Sequence, residues 1–109
     1  GVNVKMEKTF NRQEITGRCD VCGKEAPVIQ HRSSFGPFDF HYCEECFRTG
    51  AEPYWFTVST VALFGLWPND VNEALRTKIR SILKYLDRSE DTFRTDVYKA
   101  YHDMPIQTQ

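Results

Sequence analysis

The sequence predicts an α+β protein: a small β-hairpin and a short helix built around one metal ion, packed against about three C-terminal helices. Three observations lead to that expectation. The four cysteines fall in two CxxC pairs, Cys19-Asp-Val-Cys22 and Cys43-Glu-Glu-Cys46, with twenty residues between the pairs. Between them lie two short stretches of strand-forming residues joined by turn residues. From Pro53 onward, apolar residues recur at helical spacing.

The cysteines carry the strongest chemistry. Each CxxC brings two sulfurs to the same side of a tight turn or a first helical turn, so four thiolates can close a tetrahedron around one zinc ion. Cys19, Cys22, Cys43 and Cys46 are the expected ligands. Four sulfur ligands leave no open position for water, which makes the site structural rather than catalytic. Metal binding of this kind contributes on the order of 10 kcal/mol to folding. A dithiol redox pair is the competing reading of CxxC, but no βαβ pattern surrounds either pair. Disulfides could pair the cysteines in three ways. Nothing else suggests secretion: the N-terminus lacks a signal-peptide pattern, and no apolar run is long enough to span a bilayer. The expected setting is therefore cytosolic, where reduced thiols favour metal over disulfide.

Each element has a local reason. Val2-Asn-Val-Lys-Met6 alternates and reads as an edge strand, and Asn11–Glu14 reads as a loop. Cys19–Gly23 forms a knuckle, with Gly23 available for positive φ. Pro27–Arg32 and Phe38–Tyr42 read as strands joined by Ser33-Ser-Phe-Gly-Pro37. Phe38, Phe40 and Tyr42 share one strand face and should pack on a buried helix around Trp55, while Asp39 and His41 share the other face. Cys43 opens a helix whose positive N-terminal end favours thiolate, and Gly50 ends it. Pro53 starts the next helix, and Tyr54–Phe64 is apolar nearly all round, hence buried. Gly65 and Pro68 bracket a break. Asp70 with Glu73 resembles a capping box for a helix whose stripe is Val71, Leu75, Ile79, Ile82, Leu83 and Leu86. Ser89 caps a last helix with Phe93, Val97 and Tyr101 inward and Pro105 at its end. No Gly/Ser-rich linker separates the 17–50 and 53–104 subregions, so residues 1–109 read as one domain.

Charge excludes some functions. The net charge is −1, and the acidic and basic residues nearly balance in each half of the chain. No bulk electrostatic case for nucleic acid or anionic membrane survives that balance. Local features remain. Arg76, Arg80, Lys84 and Arg88 follow one another at i, i+4 on a helix and form a basic ridge, which phosphates or an acidic surface could answer. Lys5, Lys8 and Arg12 could assist it. A solvated helix face is the plainer reading of the same ridge. Phe35, beside Gly36-Pro37 in the hairpin turn, would suit a protein contact if exposed. His31 and His41 raise a metal-nuclease reading, which would need a second, oxygen-rich metal site. The phosphate-loop, GxSxG, GxGxxG and HExxH motifs do not occur, so no small-molecule substrate is expected and the chain reads as a non-enzyme.

Knuckle, hairpin and then a helix carrying the second CxxC resembles a treble-clef zinc finger over roughly residues 17–50. That resemblance implies Cys19 and Cys22 on the knuckle and Cys43 and Cys46 at the helix start as zinc ligands. It implies no particular function, because the treble clef serves many. The runs Tyr42-Cys-Glu-Glu-Cys46, Gly50-Ala-Glu-Pro-Tyr-Trp55, Trp67-Pro-Asn-Asp70 and Ser89-Glu-Asp-Thr-Phe93 look like small zinc-finger proteins of bacteria and their phages. The likeness implies a compact zinc-plus-helices fold in the cytoplasm of a bacterium or phage-infected host, without an assigned activity. The expected function is that of a zinc-stabilised protein that binds another protein, to block or redirect it. Nucleic-acid binding through the basic ridge is the alternative, and a divergent treble-clef nuclease the second.

Overall fold

A computed structural model describes residues 16–104. The chain divides into two compact units, Gly1–Gly50 and Ala51–Gln109. The expected strand at Val2–Met6, the loop at Asn11–Glu14 and Pro105 lie outside the described residues.

The first unit is a three-stranded antiparallel sheet with one short helix. The strands are β1 (Thr16–Arg18), β2 (Glu25–Arg32) and β3 (Asp39–Cys43), in the order β1-β2-β3. Thr16 pairs with Pro27, and Arg32 with Asp39 at the turn end of the hairpin. β1 was not expected: three residues are too few for alternation to register, and only pairing with β2 defines them. The hairpin turn is set by Ser33, whose backbone N–H donates to Phe38 O (2.8 Å) while its hydroxyl accepts from Phe35 N–H (2.9 Å). Such Ser-centred turns replace ladder bonds with local side-chain bonds. Helix α1 (Glu44–Thr49) follows β3 directly, with Cys43 at its N-cap. Gly50 ends it in the left-handed region (φ 76°), its N–H turned back on the Cys46 and Phe47 carbonyls. Only glycine takes that conformation without steric cost.

In β3 Tyr42 is buried and Phe40 half-buried, whereas Phe38 is 55% exposed. The expectation that all three rings pack is corrected at Phe38, which lies one residue before β3 begins and so outside its pleat. Tyr42 instead packs near Phe47 of α1 (6.4 Å between ring centroids), and Phe47 meets the His31 ring edge-on at 5.2 Å. Phe35 is half-buried, contrary to a fully exposed turn tip.

The second unit is helical: α2 (Tyr54–Phe64), α3 (Glu73–Leu86) and α4 (Glu90–Asp103), with α2 packed on α4 and α3. Its core is Val58, Val61, Ile79, Phe93 and Val97, all essentially inaccessible, with Trp67 edge-on to Phe93 at 5.1 Å. Of the expected stripes, Ile79, Ile82 and Leu83 of α3 and Phe93 and Val97 of α4 are buried, Leu75, Leu86 and Tyr101 are half-buried, and Val71 is buried but precedes α3. Helix α2 differs. Tyr54, Thr57, Val58, Val61 and Ala62 are buried, whereas Trp55, Leu63 and Phe64 are 61, 68 and 60% exposed. A helix meeting its neighbours along one stripe can bury only that stripe, whatever residues lie opposite. The expectation of a helix buried nearly all round, Trp55 included, is thereby overturned.

Capping also differs in one place. Asn72, not Asp70, caps α3, accepting from Leu75 N–H at 2.8 Å. Asp70 is occupied elsewhere: its carboxylate accepts from Leu66 N–H at 2.8 Å and closes the 65–71 turn. Gly65 (φ 142°) leaves room for that carboxylate, since a Cβ at residue 65 would stand 2.8 Å from Asp70 Cγ. At the other end of α3, Asp87 takes the left-handed conformation (φ 59°), and Arg88 N–H reaches Leu83 O at 2.9 Å. This is a Schellman termination. Ser89 caps α4 as expected, accepting from Thr92 N–H at 3.0 Å. No helix among the described residues is long and apolar enough to cross a membrane.

Candidate metal centre

The four cysteines converge from two directions. Cys19 and Cys22 stand on the knuckle between β1 and β2. Cys43 and Cys46 stand at the end of β3 and in the first turns of α1. The knuckle is a tight backbone loop: Cys19 N–H donates to Lys24 O (2.9 Å) and Gly23 N–H to Cys19 O (2.9 Å). Gly23 sits at φ 80°, as its place after the second sulfur predicts. Arg18 closes the loop from outside, its Nη1 donating to Gly23 O at 2.6 Å.

The sulfurs of Cys19, Cys22, Cys43 and Cys46 all lie within 4.8 Å of one another, and those of Cys22 and Cys43 are 3.9 Å apart. A tetrahedral Zn–S₄ centre with bonds of about 2.3 Å has sulfurs about 3.8 Å apart, so the four sulfurs have the spacing to hold one metal ion. Cys19, Cys43 and Cys46 are buried and Cys22 is exposed. Among the described residues no other group of three or more histidines, cysteines and carboxylates is so placed.

The backbone readies one sulfur for anionic charge. Cys19 Sγ accepts from Val21 N–H at 3.4 Å and from Cys43 N–H at 3.3 Å. Burial pushes the Cys19 thiol up, yet the N–H groups of Cys22, Cys43 and Val21 outweigh it and hold the thiol below its ordinary value. Burial pushes the Cys22 thiol above its ordinary value, aided by the neighbouring Cys19 sulfur. The Cys19 N–H···S pattern is that of a thiolate ligand, whose charge is shared between metal and backbone dipoles.

Asp20 is the site residue that sequence reading missed. Its N–H donates to His41 O (2.8 Å) and its carboxylate accepts from His41 N–H (2.7 Å), so the knuckle is pinned to β3 at the residue pair beside the sulfurs. An aspartate between two CxxC cysteines was the available signal, since that side chain readily bonds backbone N–H groups. His41 itself lies exposed, with Nδ1 3.6 Å from the same carboxylate. Asp39 points to Arg32 (3.5 Å) and Gln30 (3.4 Å). Asp39 and His41 therefore have separate partners. Beside the cluster, Lys24, Ala26, Pro27, Cys43, Glu45 and Arg48 line an open groove of about 390 Å³.

Of the expected basic ridge, Arg76, Arg80 and Lys84 lie at four-residue spacing on α3, and Arg88 lies beyond its end. Arg76 donates through Nη1 to the Val71 carbonyl. Arg80 makes a two-pronged pair with Glu90 (2.9 and 3.1 Å) and lies over the Trp67 ring at 5.4 Å. Arg88 is beyond the end of α3, its guanidinium 4.0 Å over the Tyr54 ring. Lys84 is exposed. The left-handed turn at Asp87 carries Arg88 off the helical line that the i, i+4 spacing implied. No protein-family model, curated protein or solved structure matches the chain.

Proposed function

We propose that the chain is a zinc-stabilised, treble-clef-type interaction protein without enzymatic activity, which binds another protein through the outer face of α2. The observation that carries this reading is the exposure of Trp55, Leu63 and Phe64 on one helix. Three large apolar side chains turned outward on an eleven-residue helix suit a protein contact better than a solvated face. Zinc is the ion of choice for four thiolates at tetrahedral spacing, and it leaves no position for a substrate or a water.

The same geometry argues against the basic ridge as a phosphate site. Arg76, Arg80 and Arg88 each have an intramolecular partner, so a phosphate would have to displace a carbonyl, a carboxylate or a ring contact. The test is capture from nuclease-treated cell extract on the immobilised, zinc-loaded chain, beside a Trp55→Ser/Leu63→Ser variant. The reading expects a protein retained by the wild type and lost with the variant. Retention seen only when the nuclease treatment is left out, or that the variant leaves unchanged, contradicts it.

A further inference from the structure

We propose that Cys22 is an oxidation site for hydroperoxides, through which the metal centre is opened and its ion released. Three of the four cysteines are buried, and Cys22 alone is exposed. A metal-bound cysteine is a thiolate, and an exposed thiolate is the form that peroxides attack. The neighbour needed to complete the reaction is in place, since Cys43 Sγ is 3.9 Å from Cys22 Sγ and all four sulfurs lie within 4.8 Å.

The chemistry balances in two steps. The Cys22 thiolate attacks one oxygen of the hydroperoxide, an S–O bond forms and the O–O bond breaks. The leaving alkoxide or hydroxide takes up a proton and departs as alcohol or water. Cys22 is now a sulfenic acid. A neighbouring thiolate, Cys43 by the geometry, attacks the Cys22 sulfur, an S–S bond forms and the S–O bond breaks. The hydroxide released takes up a second proton as water. Two thiolates have given two electrons to one peroxide. The two remaining cysteines hold the ion much more weakly, so it passes to any competing chelator. A dithiol reductant returns both thiolates and restores the site.

Burial of the other three cysteines makes this a directed reaction. Cys19 is further occupied by N–H donors from Val21 and Cys43, which lowers its nucleophilicity. The proposal rests on metal occupancy alone and is independent of what α2 binds.

The experiment treats the zinc-loaded chain with hydrogen peroxide, follows released zinc with a chromogenic chelator and maps disulfides by mass spectrometry. Zinc content before treatment separately reports whether the site holds the ion. The expected result is zinc release together with a first disulfide that includes Cys22, reversed by a dithiol and added zinc. A Cys22→His variant, which keeps four ligands, should release zinc at least about tenfold more slowly. Should that variant not take up zinc, limited alkylation of the loaded wild type decides instead: Cys22 should be marked first. Zinc retained by the wild type under peroxide, a first disulfide without Cys22, equally fast release from the variant, or equal alkylation of the four cysteines would each overturn the proposal.

Discussion

Asp20 and His41 hold each other in both directions: the Asp20 N–H donates to His41 O at 2.8 Å, and the Asp20 carboxylate accepts from His41 N–H at 2.7 Å. The two residues are 21 apart in sequence. Their pairing fixes the distance between the knuckle that carries Cys19 and Cys22 and the strand that delivers Cys43. The protein backbone and one carboxylate therefore supply part of the organisation that brings the four sulfurs together.

Asp20→Ala removes the side-chain half of that pair and leaves the backbone half. Groups bonded directly to a metal ligand are worth about 10- to 100-fold in metal affinity; Asp20 acts one step further out, through the His41 backbone, so the variant should lose zinc to a competing chelator at a chelator concentration lower by up to about tenfold. Asp20→Asn keeps an acceptor oxygen and should stay within a few-fold of the wild type. Equal loss in both variants would mean that the carboxylate charge matters rather than the hydrogen bond.

Gly65→Ala should be the most damaging single-methyl change in the helical unit. The residue sits at φ 142°, and its Cβ would press on the Asp70 carboxyl group, which is engaged with Leu66 N–H. A cost of at least about 2 kcal/mol is expected, read as a lower urea midpoint at unchanged slope. A variant as stable as the wild type would show that the 65–71 turn can rearrange freely.

Acid should weaken the Glu90 contacts. Hydrogen bonds from Arg80, and to a lesser degree from Trp67 Nε1 (2.9 Å), hold the Glu90 carboxyl below the usual carboxylate range against an opposing effect of burial. A lowered value in the folded state means that the stabilisation is fully present above the ordinary glutamate value of about 4.3 and is lost as pH falls through the lowered one. The side chain is 36% exposed, so salt screens part of the effect. The stability difference between wild type and Glu90→Gln, measured in low salt from neutral pH downward, should shrink on acidification. A difference independent of pH would contradict the assignment.

Salt separates the two binding readings. Partner capture through Trp55 and Leu63 should survive raised salt and a Lys84→Glu substitution. Binding to phosphates through the Arg76–Arg88 series would fall steeply with salt and weaken with that substitution. Binding to nucleic acid with that salt profile would replace the protein-contact reading.

Much of this architecture was legible in the residues, because its signals are local. CxxC spacing marks the ligands. Ser33–Pro37 marks the hairpin turn, Gly50 the end of α1 and Ser89 the start of α4, each through backbone chemistry within four residues. What escaped depends on residues distant in sequence. The orientation of Trp55 is set by which stripe of α2 meets α3 and α4, and composition cannot show that. Asp70 looks like a helix cap until Leu66 N–H claims it. The four-residue spacing places Arg76, Arg80 and Lys84 along α3, but it cannot show that Glu90 from α4 pairs with Arg80, or that Arg88 leaves the helix at a left-handed Asp87 and lies over the Tyr54 ring. Asp20 escaped because its partner lies on another strand.

The central claim is that a zinc ion bound by Cys19, Cys22, Cys43 and Cys46 ties the knuckle to the hairpin and α1. Elemental analysis combined with amide hydrogen exchange before and after chelation tests it most directly. The account predicts a single zinc ion per chain, and loss of protection across Glu25–Arg32 and Asp39–Cys43 once the chelator removes it. A chain that purifies without stoichiometric metal, or a sheet that stays equally protected after stripping, would contradict it.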